Sequence, residues 1–143
     1  MKNELELIND LLEQIYQEIK DDIRNEKDMF YNAYVFKQPP RTPLLPNIQI
    51  KSTAIPYDET LSKSETKWSL MVHVNIFAQD VGNVNGRIVA EELQEKIFDF
   101  YYHEKGFDCT FNDEIPNLDA NVHRIMIRFK ARYDTSTNIL YRK

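Results

Sequence analysis

One cysteine in 143 residues, Cys109, leaves no partner for an internal disulfide and fits synthesis in a reducing compartment. Three glycines are too few for a phosphate-cradling loop, and no P-loop, dinucleotide fingerprint or nucleophile elbow occurs. The chain also lacks any apolar run of the roughly 18 residues that a membrane-spanning helix needs. The opening MKNELELINDLLEQ is acidic, without the compact apolar stretch of a secretory leader. His73, His103 and His123 fall in separate segments at no metal-ligand spacing. The acidic stretch Asp113 to Asn121 has neither the central glycine nor the closing glutamate of a calcium loop. The expectation is a protein with no metal and no cofactor.

Catalysis has one faint signature. Asp58, followed by Glu65-Thr66-Lys67, echoes the Asp…Glu-x-Lys set of metal-dependent nucleases, in which two carboxylates hold the metal and a lysine steadies developing charge. The spacing is short, and a polar hairpin tip accounts for the same residues with no chemistry. The reading is therefore non-enzymatic, with a nuclease as the remote alternative.

What is present is periodicity. Leu5, Ile8, Leu11, Leu12, Ile15, Tyr16, Ile19 and Ile23 form one stripe at helical spacing, with Asn3 and Glu6 set as N-cap and capping-box partner. FYNAYVF (30–36) reads as a short strand, stopped by the proline-rich KQPPRTPLLP. NIQIKSTAI (47–55) and TKWSLMVHVNIFA (66–78) read as an antiparallel hairpin, with Trp68, Leu70, Val72, Val74 and Ile76 on one face. Its tip, which includes Tyr57, Asp58, Glu59, Lys63 and Glu65, is long enough to project from the body. A second helix over 85–104 carries Val89, Ala90, Leu93, Ile97, Phe100 and Tyr101 on its main apolar side. Ile88, Phe98 and Tyr102 fall nearly opposite, which suits burial on two sides or contact with a second body. Gly106 is the expected C-terminal cap. FDCTF (107–111) reads as a short strand, NDEIPNLDAN as a loop, and NILYRK as a possible last strand. The order predicts one α+β domain over residues 1–143: a mostly antiparallel sheet with a long hairpin, packed against an N-terminal helix and a second helix.

The segment VHRIMIRFKARYD (122–134) alternates strictly. Ile125, Ile127, Phe129, Ala131 and Tyr133 share one face, and Arg124, Met126, Arg128, Lys130 and Arg132 the other. A solvated outer sheet face is the plain explanation of such a row. Four cations at five alternating positions nevertheless repel one another unless something negative lies close, and Met126 suits a wholly solvated face poorly. The chain's net charge is −5, distributed unevenly. Residues 1–28 hold nine acidic and four basic side chains, whereas residues 123–143 hold six basic and one acidic. An acidic head and a basic tail suit charge-complementary self-association better than general nucleic-acid binding.

The layout resembles that of the tail-terminator, or tail-completion, proteins of long-tailed bacteriophages. The likeness rests on the N-terminal helix, the long hairpin ending in VNIFAQD, the helix RIVAEELQEKIFDFYY, the loop Pro116-Asn117-Leu118-Asp119, and the closing strand Arg124 to Tyr133. The proline-rich 38–46 connection and the second apolar side of the late helix depart from the pattern. The resemblance implies a virion structural protein of the tail or neck, assembled in the host bacterial cytoplasm from a phage or prophage genome. It implies a ring, usually a hexamer, that caps the tail tube, ends its polymerisation and offers a joining surface to the head-side connector protein. Its partners would be itself, the tail tube protein and that connector, with no membrane and with DNA only as passing cargo. A head–tail connector or other minor capsid protein is the alternative. On this reading Arg124, Arg128, Lys130 and Arg132, with Ile88, Phe98 and Tyr102, are the expected subunit or tube interface.

Overall fold

The computed structural model describes residues 4–25, 33–37, 46–56, 67–83, 85–116, 121–135 and 139–141. Its elements in chain order are α1 (Glu4–Asn25), β1 (Tyr34–Phe36), β2 (Asn47–Pro56), β3 (Lys67–Gln79), α2 (Gly86–Phe98) with a π-helical continuation (Asp99–Glu104), β4 (Asp108–Ile115), β5 (Val122–Asp134) and β6 (Ile139–Tyr141). The two longest alternating segments form the centre of the sheet. β3 and β5 pair antiparallel from Lys67↔Asp134 to Gln79↔Val122. β2 flanks β3 as the predicted hairpin, and β4 flanks β5, giving the order β1-β2-β3-β5-β4. β6 pairs with β5 at Arg132–Asp134, on the edge that β4 leaves after Lys130. The fold is α+β, and its sheet is antiparallel except where β1 runs parallel to β2.

The register gathers the buried strand residues on one face. Ile48, Ile76 and Ile125 lie side by side, as do Ile50, Val74 and Ile127, and then Val72 with Phe129 and Leu70 with Ala131. All of these are buried. Both helices cover this face, α1 over β1 and β2 and α2 over β3 and β5. Helix α1 contributes Ile8, Leu12, Ile15, Tyr16, Ile19 and Ile23, and α2 contributes Val89, Ala90, Leu93 and Ile97. Each such side chain withdrawn from water stabilises the fold by about 1.5–3 kcal/mol. An ion pair between Glu18 and Lys105 ties α1 to the end of the second helix.

Three sequence expectations need correcting. Leu5 belongs to the helical stripe by spacing but is 48% exposed, so the burial begins only at Ile8. The late helix is not α-helical to its end: the π segment widens its last turns and brings both Phe100 and Tyr101 into the core. Gly106, at φ +78°, ends it as predicted. The strand expected over 107–111 runs on to Ile115, through a bulge between Cys109 and Phe111, so residues 112–115 are strand rather than loop. Of the strand expected over 30–36, Tyr34–Phe36 is strand, and residues 30–32 lie outside the described residues. Asn3, the hairpin tip 57–66 and residues 117–120 lie outside the described residues. No helix among the described residues is long and apolar enough to cross a membrane.

Candidate functional site

Both helices lie on one side of the sheet, and among the described residues no helix covers the other side. The register names its occupants. Across the middle runs Lys51–His73–Arg128–Phe111, one residue from each of β2, β3, β5 and β4. The row beside it is Thr53–Met71–Lys130–Asp108, and on the other side lies Gln49–Asn75–Met126–Asp113. Phe77 and Ile115 flank Arg124, and Ser69 lies beside Arg132. The four cations predicted from the alternation therefore do share a face, and that face is also apolar in part. Met71, Phe77, Met126 and Ile115 are half-buried, Phe111 is 36% exposed, and Ile55, further along β2, is 54% exposed.

The cations are held by their neighbours to different degrees. Arg124 donates from Nε and Nη2 to Asn75 Oδ1 at 3.2 and 2.9 Å, and its guanidinium lies 5.5 Å from the centre of the Phe77 ring. Arg128 lies 5.6 Å from the centre of the Phe111 ring. Such cation–π contacts are worth about 0.5–1 kcal/mol at exposed sites and fix the guanidinium plane. Arg128 and Lys130 are exposed, with no ion pair to a carboxylate among the described residues. The bulge that presents Phe111 is secured by Thr110 Oγ1, which donates to the Arg128 carbonyl at 3.3 Å. Neither Phe77 nor Phe111 was singled out from the sequence. Phe77 could have been found, because it continues the outward series of β3; the bulge hides the register of Phe111.

The second group of predicted interface residues does not form one exposed face. Ile88 is 54% exposed. Phe98 and Tyr102 are half-buried and stack on each other, with centroids 4.8 Å apart, and the Phe98 ring reaches to 6.4 Å from core Phe129. Of the two arrangements the pattern suits, Phe98 and Tyr102 take partial burial, and Ile88 alone of the three is exposed. The π segment alters the rotation between residues 98 and 102 and draws this pair against the edge of the core.

A polar cluster sits where β3 ends and α2 begins. Asp80 Oδ1 accepts from the Gly86 backbone N–H at 2.7 Å and lies 3.2 Å from His123 Nε2. His123 Nδ1 is 3.7 Å from Glu114 Oε1, and Arg87 Nε reaches Glu91 at 3.2 Å and Glu114 at 3.8 Å. Asn85 caps α2, its side chain accepting from the Arg87 N–H at 2.9 Å. Asp80 and Asn85 satisfy backbone N–H groups at the start of α2, and the rest of the cluster is a chain of side-chain contacts. Burial pushes the Cys109 thiol up from its ordinary value, the opposite of what an activated nucleophile needs. Among the described residues no group of three His, Cys, Asp or Glu side chains is arranged to hold a metal. Of the nuclease-like set, Lys67 opens β3, while Asp58 and Glu65, with the rest of the predicted tip (Tyr57, Glu59, Lys63), lie outside the described residues.

A groove of about 580 Å³ runs between α1 and β2, lined by Leu12, Tyr16, Ile50, Glu13, Lys37 and Ser52. Glu13 and Lys37 pair across it. Hydrogen bonds from Lys37 and Gln17 hold the Glu13 carboxyl below its ordinary value. No protein-family model matches this chain, and comparison with curated proteins finds no significant match.

Proposed function

We propose that the chain is a non-enzymatic structural protein of a bacteriophage tail, forming a ring that caps the tail tube and joins it to the head-side connector. The observation that carries the reading is the uncovered sheet face. Beside Lys51, Lys130, Asp108, Asp113 and neutral polar residues, it carries Arg124, Arg128 and Arg132 with Met71, Met126, Phe77, Phe111 and Ile115. Arginine, methionine and aromatics are the residues enriched in protein–protein interfaces relative to other surface. A face built only for solvation would favour lysine and glutamate and would leave out the aromatics. The α+β layout agrees with the tail-terminator resemblance.

The ring would assemble in the host cytoplasm and end in the virion neck, with the tail tube protein on one side, the connector on the other, and DNA only passing through. Incubating the purified protein with polymerising tube protein of its own particle tests this. Negative-stain images should show tubes of arrested length bearing a ring at one end. Tubes that grow to the same lengths with and without the protein would overturn the proposal, and a ring seated only on the connector would move it to the head side.

A further inference from the structure

We infer that the occupant of the open sheet face is the outward stripe of α1 from a neighbouring copy of this chain; this rests on reading the face as an assembly surface. The sheet needs an anionic, partly apolar partner. Its middle carries Lys51, His73, Arg128 and Lys130 beside Met71, Met126 and Phe111. A partner of that kind is present on the molecule itself. Opposite the buried stripe of α1 lie Glu6, Asp10, Gln14, Gln17 and Asp21, with Leu7, 48% exposed, at its margin. The chain's negative net charge disfavours a polyanion such as nucleic acid at long range, whereas its own acidic helix is attracted locally.

Dimensions agree. A helix of 22 residues is about 33 Å long, and the strand from Arg124 to Arg132 covers about 26 Å, so one helix laid along β5 reaches all four cations. The two surfaces lie on opposite sides of the domain, because α1 packs its apolar stripe on the covered side of the sheet. They cannot meet within one chain, but they can meet between copies. The contact is then heterologous, the type that closes into a ring or runs on as a filament. Asp10 and Asp21 are on the outward stripe.

Two variants and their mixture provide the test. Arg128→Glu/Lys130→Glu turns the sheet face acidic, and Asp10→Lys/Asp21→Lys turns the helix stripe basic. Circular dichroism and melting should match wild type for both, since all four side chains are solvent-facing. In sedimentation velocity at low salt, each variant alone should lose the assembled species that wild type forms. An equimolar mixture should regain it with both variants in equal amounts, because each altered surface now faces its opposite on the other protein. The uncharged pair Arg128→Gln/Lys130→Gln should weaken assembly without being rescued by Asp10→Lys/Asp21→Lys. Wild-type-like assembly by Asp10→Lys/Asp21→Lys, or a mixture that stays monomeric, overturns the inference. So does a wild type that stays monomeric and binds single-stranded DNA through these cations. If the sheet variant alone fails to cap tubes while the helix variant assembles normally, the assembly reading stands and only the occupant is wrong.

Discussion

Single residues carry constraints that element-level description passes over, and Gly86 is the sharpest. A Cβ there would lie 2.6 Å from the Gln79 carbonyl carbon and 2.9 Å from the Asp80 nitrogen, both backbone atoms. The end of β3 and the start of α2 touch at this point, and Asp80 closes the joint by accepting the Gly86 N–H. Gly86→Ala should therefore cost about 2 kcal/mol, despite alanine's better helix propensity, because the strand end must shift. Urea denaturation measures it, and a neutral result would mean that the joint has slack. Tyr101 sets the alkaline limit. It is 1% exposed, stacked on Phe129 and edge-on to Phe107, and burial raises its hydroxyl pKa far above the ordinary value. A raised folded-state pKa gives stability that is complete below the unfolded pKa, about 10 for tyrosine, and is lost as pH climbs beyond it. Melting temperature should thus fall steeply above about pH 10, and Tyr101→Phe should flatten that fall. An unchanged slope would assign the loss to other groups, Tyr16 among them, whose hydroxyl burial also raises.

At the scale of elements, the second helix separates two side chains that sequence alone had grouped. Ile88 projects into solvent, whereas Phe98 leans on Tyr102 and the core. Phe98→Glu should lower stability by about 1–2 kcal/mol in the isolated protein, and Ile88→Glu should change it by less than about 0.5 kcal/mol. Thermal melts of the two variants decide; equal effects would contradict this division of the helix. The same elements show what a sequence can reveal. β3 and β5 were legible because each buries one face against a helix, and burial on one side imposes alternation. The stripe of α1 was legible for the same reason, up to the point where Leu5 extends beyond the covered region. The second half of β4, residues 112–115, was not, because its covered face meets the polar flank of α2. Gln94 donates to Asn112 there at 2.5 Å, and Arg87 approaches Glu114. An edge strand with polar cover on one face and open surface on the other has no apolar rhythm to read. The π segment was hidden as well, since the residues that widen a helix differ little from those that continue it. Of the candidate surface, the cations were visible in the alternation. Their aromatic and methionine neighbours come from other strands and required the register.

The whole molecule is a two-layer body with its helices on one side and a mixed cationic and apolar sheet on the other. Among the described residues its hairpin pairs as far as Pro56↔Trp68. Deleting residues 58–64 should leave the fold and its melting temperature intact while impairing capping of the tube. Normal tail-length control by the deletion protein would show the tip to be dispensable. Assembly through the sheet face should depend on salt, because exposed charges are screened beyond about 10 Å at 0.1 M ionic strength and contribute to register more than to folding. The most direct measurement is sedimentation velocity of the wild type and of Arg128→Glu/Arg132→Glu over a range of salt. The account predicts a wild-type assembly larger than a monomer that dissociates as salt rises, and a variant that stays monomeric throughout with an almost unchanged melting temperature. Identical sedimentation of the two proteins at every salt concentration would contradict it.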